Sequence, residues 1–219
     1  MIKINRENII PDPLKKNPLT SKSYQEPDVQ LALTRMQFNK CAYCEKSLGQ
    51  EKQIDHFRPQ EEFVIGYDDK GKKIYDWNRA NRWENLLYAC KDCNGAKTKN
   101  PPFDLVTGER LIIDPSADDI DPEEYIDFVI TEHLTSRVNV IVTNKNNKKL
   151  GRDTVDKLRL ARKRHTGDLK QFCLELYIHF AKLLLHLKNG RDINEKECQD
   201  KLSYIKRSMD PRQPYTAFA

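Results

Sequence analysis

At 219 residues, the chain is long enough for one large domain or two small ones with a sizeable hydrophobic core. Its residues are 32% charged and 38% hydrophobic, a composition that excludes wholesale disorder. Because the sequence has neither an apolar run of about 18 residues nor an N-terminal signal peptide, we expect a soluble, cytoplasmic protein. Six cysteines in such a protein predict metal ligands and free thiols rather than disulfides, and the net charge of +5 weakly favours a nucleic-acid partner.

The N-terminal segment is predicted to be an irregular arm followed by one helix. Four prolines lie within 1–27, where few apolar residues recur at regular spacing. Asp28 is a candidate cap for a helix that runs to about Asn39. Val29, Leu33 and Met36 fall on one face of it because they are four and three residues apart. We therefore assign 1–37 to an N-terminal arm and helix.

Two C-x-x-C pairs, Cys41/Cys44 and Cys90/Cys93, frame the middle of the chain. A two-residue spacer lets both sulfurs of a pair reach one ion, and two pairs supply the four thiolates of a closed tetrahedral zinc site. The 45 residues between the pairs are tolerable because loop-closure entropy grows only logarithmically with length. Since protein ligands fill all four positions, this zinc is expected to be structural and not catalytic.

The segments around the second cysteine pair predict a strand, a hairpin and a short helix. Lys52 to Phe57 reads as a strand that ends before Pro59, and Asp69 to Lys72 as the tip of a hairpin within the polar segment 60–82. Asn94 to Lys99 is predicted to be a short helix, stopped by two prolines. A further strand is expected at Arg110 to Ile113.

The C-terminal half is predicted to be a β-hairpin followed by helices. Ile126 to Glu132 and Val138 to Thr143 carry β-branched residues and a polar link, which favours a hairpin. From Leu169 to Leu187, apolar residues recur every three or four positions, the pattern of an amphipathic helix that ends at Gly190. A last helix is predicted at about Asn194 to Met209.

The order of these motifs resembles the HNH endonucleases of the four-cysteine type. The resemblance is carried by Ile54-Asp55-His56-Phe57-Arg58-Pro59, by Trp83-Glu84-Asn85-Leu86-Leu87 and by Cys90-x-x-Cys93-Asn94. It implies a ββα-metal fold, in which zinc staples a small β-hairpin to a helix. We therefore expect an α+β protein with an HNH nuclease core at 38–113 and a mainly helical region with a small β-hairpin at 114–219.

The same resemblance implies roles for single residues. His56 corresponds to the general base, and an unperturbed histidine pKa of about 6.5 suits that task at neutral pH. Asp55 and Asn94 correspond to ligands of a catalytic Mg²⁺ or Mn²⁺, for which carboxylate and amide oxygens are suitable. Asn85 corresponds to the asparagine that braces the histidine-bearing loop. Because Asn94 stands where many members have a second histidine, the chain is an H-N-N variant.

Basic residues are the candidates for contacts with DNA or RNA. Arg58, Lys91, Lys97 and Lys99 surround the motif, and a second basic cluster, which includes Arg162, spans 145–164. Both groups suit a polyanion, although a solvated helix face accounts equally well for the second cluster.

The whole chain also resembles a narrower group, the PtuB-like HNH proteins of Septu-type and retron-associated antiphage systems. Ile113-Asp114-Pro115, Thr154-Val155 and Leu158-Arg159-Leu160 carry this second likeness. It implies a defence effector that works with an ABC-type, PtuA-like ATPase, which we expect to dock on 114–219. The absence of a long apolar run separately predicts no association with a membrane. Two alternatives stay open: a zinc-dependent nucleic-acid-binding module without catalysis, and a stand-alone restriction-type HNH nuclease.

Overall fold

Three two-stranded antiparallel sheets and six α-helices make up the described part of the chain. The structure, a computed structural model, describes residues 1–6, 10–50, 52–133, 137–210 and 212–215, with the side chains of 128, 130–133 and 137–141 excepted. In chain order the elements are α1 (Pro27–Met36), β1 (Lys52–His56), β2 (Val64–Tyr67), β3 (Lys73–Tyr75), α2 (Trp77–Ala80), β4 (Leu86–Cys90), α3 (Lys91–Thr98), β5 (Ile126–His133), β6 (Arg137–Asn144), α4 (Lys149–Lys157), α5 (Lys163–Lys188) and α6 (Lys196–Ser208).

The N-terminal helix α1 begins at Pro27, before the predicted cap, and ends at Met36, three residues before the predicted end at about Asn39. Pro27 occupies its first turn, where proline's missing N–H costs nothing, so Asp28 lies inside the helix and is not its cap. The helix stops because Phe38 and Asn39 adopt φ values of 51° and 55°, in the left-handed region. Val29, Leu33 and Met36 are all buried, as their spacing predicts.

Strands β1 and β4 and helix α3 form the centre of the fold. β1 pairs antiparallel with β4, so that Lys52 lies opposite Cys90 and His56 opposite Leu86. Every residue of β4 is buried, which explains its continuous apolar sequence. α3 follows β4 without a loop, because Cys90 serves as its N-cap. This connection brings the end of β1 close to α3.

A second hairpin, β2–β3, projects from the connection between β1 and β4. Its tip is the turn that the sequence predicts, closed by Asp68, whose Oδ1 accepts backbone N–H groups of Lys70 at 2.9 Å and Lys72 at 2.8 Å. Gly71 adopts φ +74° there, a conformation that glycine permits at little cost.

The C-terminal half contains the predicted hairpin, β5–β6, and the predicted long helix, α5, of 26 residues. The strand predicted at Arg110 to Ile113 does not form. Leu111 and Ile112 both donate their N–H groups to the Pro102 carbonyl, and the only ladder contact there is an isolated bridge between Arg110 and Phe103. No helix in the described residues is long and apolar enough to cross a bilayer.

One cluster of buried side chains runs through all three predicted segments. It joins Leu33 of α1 to Leu86 and Leu87 of β4, and continues through Leu158 to Leu169 of α5. The architecture is therefore α+β, as predicted, with helices packed on small sheets around a common core. The boundaries at 37/38 and 113/114 stay predictions from the sequence.

Candidate functional site

Four buried cysteines converge where the loop after α1 meets the start of α3. Their sulfur atoms all lie within 4.8 Å of one another. Cys44 Sγ and Cys90 Sγ are 3.8 Å apart, which matches the roughly 3.8 Å edge of a tetrahedron with Zn–S bonds of about 2.3 Å. The residues therefore fit the predicted ion: the cluster can bind a metal such as zinc.

Local backbone turns bring the two pairs together. Cys41 N–H donates to the Lys46 carbonyl and Glu45 N–H to the Cys41 carbonyl, which forms a tight turn around the first pair. Ala42 N–H donates to the Tyr88 carbonyl at 2.9 Å and so ties this turn to β4. Burial raises the pKa of Cys41, whereas hydrogen bonds from neighbouring thiols lower the pKa of Cys90. Four buried thiolates at this distance repel one another, so the fully deprotonated set requires a cation.

Arg162, from the segment just before α5, lies beside this centre. Its Nη2 is 3.5 Å from Cys93 Sγ and 3.9 Å from Cys90 Sγ, and its Nε is 3.7 Å from Asp92 Oδ2. A zinc ion with four thiolates carries a net negative charge, which a guanidinium at this position compensates. The sequence suggested a polyanion contact for Arg162, and no spacing signal links it to a cysteine 69 positions away.

Asp55 is buried, and both of its carboxylate oxygens have partners. The Tyr43 hydroxyl donates to Oδ2 at 2.5 Å, and Lys97 Nζ lies 3.0 Å from Oδ1. Burial raises the pKa of Asp55, and Lys97 and Tyr43 oppose that shift. The carboxylate therefore belongs to a buried, hydrogen-bonded ion pair.

Lys97 is placed differently from the phosphate contact that the sequence suggested. Its side chain is 4% exposed, because the helix α3 turns it inward towards β1. Besides the ion pair with Asp55, its Nζ donates to the His56 backbone carbonyl at 2.8 Å. One ammonium thus holds both residues of the Asp55-His56 dipeptide.

His56 lies in a separate pocket on the other side of the strand end. Its Nε2 is 2.8 Å from Asn81 Oδ1, and Asn81 Nδ2 donates to the Thr20 carbonyl at 2.8 Å. This second bond fixes the orientation of the amide, so Asn81 Oδ1 accepts a hydrogen bond from Nε2–H and Nδ1 keeps the lone pair. Gln60 Nε2 lies 3.3 Å from Nδ1, and the Tyr24 ring packs edge-on at 4.7 Å.

The electrostatic surroundings keep His56 neutral at pH 7. Burial lowers its pKa below 6.5; the hydrogen bond to Asn81 opposes this shift, and the charge on Lys97 adds to it. A neutral imidazole is the form that a general base requires.

Asn85 fixes the backbone just after His56. Its Oδ1 accepts the Arg58 N–H at 2.7 Å, and its Nδ2 donates to the carbonyls of Arg58 at 3.1 Å and Ala80 at 2.8 Å. β1 nevertheless continues through His56, so Asp55 and His56 point to opposite faces, as consecutive strand residues do. Their side chains share no hydrogen-bond partner in the described residues, but Lys97 Nζ contacts both residues, through the Asp55 carboxylate and the His56 backbone carbonyl.

In this arrangement the Asp55 carboxylate, one of the two predicted ligands of Mg²⁺ or Mn²⁺, is already paired on both of its oxygens. Asn94 lies one helical turn before Lys97, and its Nδ2 donates to Gln53 Oε1 at 2.9 Å. The charge of Asp55 is already neutralised by Lys97. Among the residues described, the cysteine cluster is the only group of three or more histidine, cysteine or acidic side chains arranged to hold an ion.

The other predicted phosphate contacts, Arg58, Lys91 and Lys99, are exposed. Arg58 makes an i,i+4 ion pair with Glu62 at 2.7 Å and its guanidinium lies 5.2 Å from the Phe103 ring centre. Sequence reasoning missed Tyr43, Asn81 and Gln60, which contact Asp55 or His56 across the fold and carry no motif of their own.

The comparisons with known proteins relate the chain to one named group. It is 26% identical to the Septu protein PtuB of Bacillus mycoides (strain KBAB4) over a 227-residue alignment that covers 89% of this chain and 73% of the relative. It is 32% identical to the Septu protein PtuB of Bacillus thuringiensis over 96 residues, or 42% of this chain and 30% of the relative. No protein-family model matches the chain. No solved structure matches it either.

Proposed function

We propose that this homologue of Septu protein PtuB is a nuclease of the HNH type that hydrolyses phosphodiester bonds in DNA or RNA as part of antiphage defence. The observation that carries the proposal is the neutral His56, whose Nε2–H is held by Asn81 and whose Nδ1 keeps a lone pair. Homology across 89% of the chain supports the defence role.

The local architecture supports the same reading. β1, β4 and α3 form a strand-strand-helix unit with the four cysteines at one end, the arrangement that the HNH resemblance implies. His56 ends β1, and the amide of Asn85 holds the backbone of the residue two positions later. Zinc, when bound, supplies no catalysis here, because four thiolates would fill its coordination sphere.

His56 supplies the base chemistry. A water that displaces the Gln60 amide from Nδ1 would give its proton to that nitrogen while its oxygen attacks phosphorus. The P–O bond to the leaving oxygen then breaks, and that oxygen takes a proton from solvent. Asn81 Oδ1 accepts from Nε2–H and so favours the imidazolium that forms.

Charge at the phosphate must also be neutralised. The exposed Arg58, Lys91 and Lys99 are the proposed phosphate contacts. The HNH resemblance adds a catalytic Mg²⁺ or Mn²⁺ at Asp55 and Asn94, which would supply further positive charge. The carboxylate of Asp55 is paired with Tyr43 and Lys97 in this arrangement, so the proposal rests on His56. By the same resemblance, the partner is a PtuA-like ATPase of the ABC type.

The test is cleavage by wild type and His56→Ala, with the proposed PtuA-like ATPase present. His56→Ala is expected to cleave about 10²–10⁴ times more slowly, because the base is missing. His186→Ala is the matched control, since its ring faces Glu197 on α6 and touches no part of the site. Zinc content and melting temperature should be the same in all three proteins. Full activity in His56→Ala would refute the assignment.

A second candidate is a zinc-dependent nucleic-acid-binding module without catalysis. The buried Asp55–Lys97 pair favours it, because that pair leaves Asp55 unable to hold an ion. This protein would bind DNA or RNA in a salt-dependent manner but cleave neither at any Mg²⁺ or Mn²⁺ concentration. A stand-alone restriction-type nuclease would instead cleave without the ATPase and would not co-purify with it.

A further inference from the structure

The second half of α5 exposes a continuous apolar face. Tyr177 is 58% exposed, Phe180 49% and Leu184 51%, and Leu187 is exposed as well. Their spacing of three, four and three residues places them on one side of the helix over three turns. Because soluble monomers rarely leave large contiguous apolar patches uncovered, such a surface marks an interaction site.

The rest of the helix shows that this face is not an unfinished core. The opposite side of α5 packs on α6, where the His179 ring stacks on Tyr204 with ring centres 3.8 Å apart. Leu183, four residues after His179, is also buried. Ile178 and Leu185 are exposed and widen the apolar face. α5 is thus anchored by both α6 and β6, while Tyr177, Phe180 and Leu184 remain exposed.

Lysines border the apolar face. Lys170 lies seven residues before Tyr177, on the same line along the helix, and Lys188 lies four residues after Leu184. Lys182 is exposed four residues after Ile178, at the edge that Ile178 and Leu185 add to the apolar face. None of the three lysines is paired with a carboxylate in the part of the chain that the structure describes.

Acidic charge is scarce on this stretch of helix. Glu175 is the one acidic residue of 171–188, and its two oxygens accept hydrogen bonds from Gln171 at 2.8 Å and Tyr204 at 3.2 Å. The uncompensated rim is therefore positive and complements a partner that carries carboxylates around an apolar centre.

We propose that this face of α5 docks the ATPase partner through an apolar helix flanked by acidic residues; the identity of the partner rests on the proposed function. A second copy of this chain fits the face poorly. Lys170 and Lys188 lie about 27 Å apart along the axis, at about 1.5 Å per residue. Antiparallel packing of two α5 helices brings Lys170 near Lys188 of the other copy, and parallel packing pairs each lysine with itself.

The experiment measures binding of the full chain to the proposed PtuA-like ATPase, using Leu184→Asp and a matched control. Leu184→Asp places a charge at the centre of the face and is expected to weaken binding about 30-fold or more, the range of an interface hot spot. The control is Val106→Asp, at a residue that is 95% exposed in a turn between α3 and β5. It makes the same chemical change elsewhere and should bind like wild type. Zinc content and melting temperature are measured for each protein.

A charge variant tests the second half of the proposal. The double variant Lys182→Glu with Lys188→Glu should bind the ATPase more weakly than wild type at low salt. At high salt the affinities of the two proteins should become more similar, because screening removes the attraction that the lysines supply. Equal binding of this variant and wild type at low salt would remove the acidic partner from the proposal.

The remaining outcomes separate this surface from the proposed function. If Leu184→Asp binds the ATPase normally, the surface is wrong and the partner stands. If the wild type cleaves in a His56-dependent manner but binds no ATPase, the surface and the partner both fail and the nuclease stands.

Two further results would assign the face to another occupant. If the wild type forms a dimer and Leu184→Asp dissociates it, the face binds a second copy of the chain. If the wild type sediments with phosphatidylglycerol vesicles and Leu184→Asp does not, the face binds a membrane surface. Either result overturns the proposal.

Discussion

At the scale of single residues, the Asp55–Lys97 pair dominates the energetics of the candidate site. The two side chains are each 4% exposed and form an ion pair with 3.0 Å between Lys97 Nζ and Asp55 Oδ1. Breaking a buried pair by removing one partner leaves an uncompensated charge in a low-dielectric environment, which is more costly than losing both charges together.

We predict that Lys97→Met lowers the free energy of unfolding by about 3–5 kcal/mol, because Asp55 is left buried and unpaired. The double variant Asp55→Asn with Lys97→Met should recover a large part of this loss, since no bare charge remains. Urea denaturation of wild type, both single variants and the double variant measures the effect. Additive losses in the double variant would show that the two side chains do not interact.

His56 gives a prediction for pH dependence. Because its pKa lies below 6.5, the neutral base persists on acidification past the ordinary histidine value, and cleavage should fall only at lower pH as the ring protonates. Asn81→Asp places a carboxylate beside Nε2 and should raise the pKa, which moves the acid limb to higher pH. The pH–rate profiles of the two proteins provide the comparison. An acid limb at or above 6.5 in wild type would contradict the burial argument.

How far the sequence predicts these residues depends on how local their signal is. The cysteine pairs are visible because two ligands of one ion lie three positions apart. The pairing of Asp55 with Lys97, 42 positions later, and the pocket of His56 depend on how β1, α3 and the N-terminal arm pack. No spacing rule encodes those contacts, so Lys97 resembled a surface cation.

At the scale of elements, the close approach of α4 to the β5–β6 hairpin gives a sharp test. Gly151 lies in the first turn of α4, and a Cβ there would lie close to the Tyr125 carbonyl, 3.0 Å from its carbon and 3.3 Å from Asn144 Cβ. The helix can approach the hairpin this closely only because residue 151 has no side chain.

Gly151→Ala is therefore predicted to destabilise the protein by about 1–3 kcal/mol through overpacking, although alanine favours helix. Gly167→Ala in α5 is the matched control. A Cβ at Gly167 meets no heavy atom within 4 Å, so this substitution should stabilise by about 0.5–1 kcal/mol. Thermal unfolding of the two variants measures the difference; equal melting temperatures would contradict the packing argument.

Most helices and strands follow from the periodicity of apolar residues, and the differences have local causes. The start of α1 shifts because Pro27 suits a first turn, which leaves Asp28 inside the helix. The predicted strand at Arg110 to Ile113 does not form because no strand of the described residues lies beside it to pair with. The N–H groups of Leu111 and Ile112 instead donate to the Pro102 carbonyl, and strand propensity alone does not supply a partner strand.

At the scale of the whole molecule, the C-terminal half completes the cysteine centre. Arg162 reaches Cys90 and Cys93 from just before α5, Thr154 Oγ1 accepts the Ile113 N–H at 2.9 Å, and Asn100 Nδ2 donates to the Lys157 carbonyl at 3.1 Å. The predicted boundary at 113/114 thus runs through a shared core. A sequence pattern marks composition along the chain, and it does not report contacts across such a boundary.

Arg162→Gln is predicted to lower zinc affinity by about 10–100-fold, because the thiolates lose a compensating charge. Arg164→Gln is the matched control, since Arg164 is exposed two positions later and makes no contact with the cysteines. Competition with a chromogenic chelator measures both affinities. Identical zinc retention in the two variants would mean that the guanidinium contributes only packing.

The β2–β3 hairpin has a practical consequence. Residues 68–72 form an exposed, hydrogen-bonded reversal, and no heavy atom lies within 4 Å of a Cβ built at Gly71. Foreign sequence is best tolerated at such loop tips. A biotin-acceptor peptide spliced between Lys70 and Gly71 would give the protein an internal handle. Immobilised by that handle, the protein would keep the exposed apolar face of its longest helix available to partners in solution.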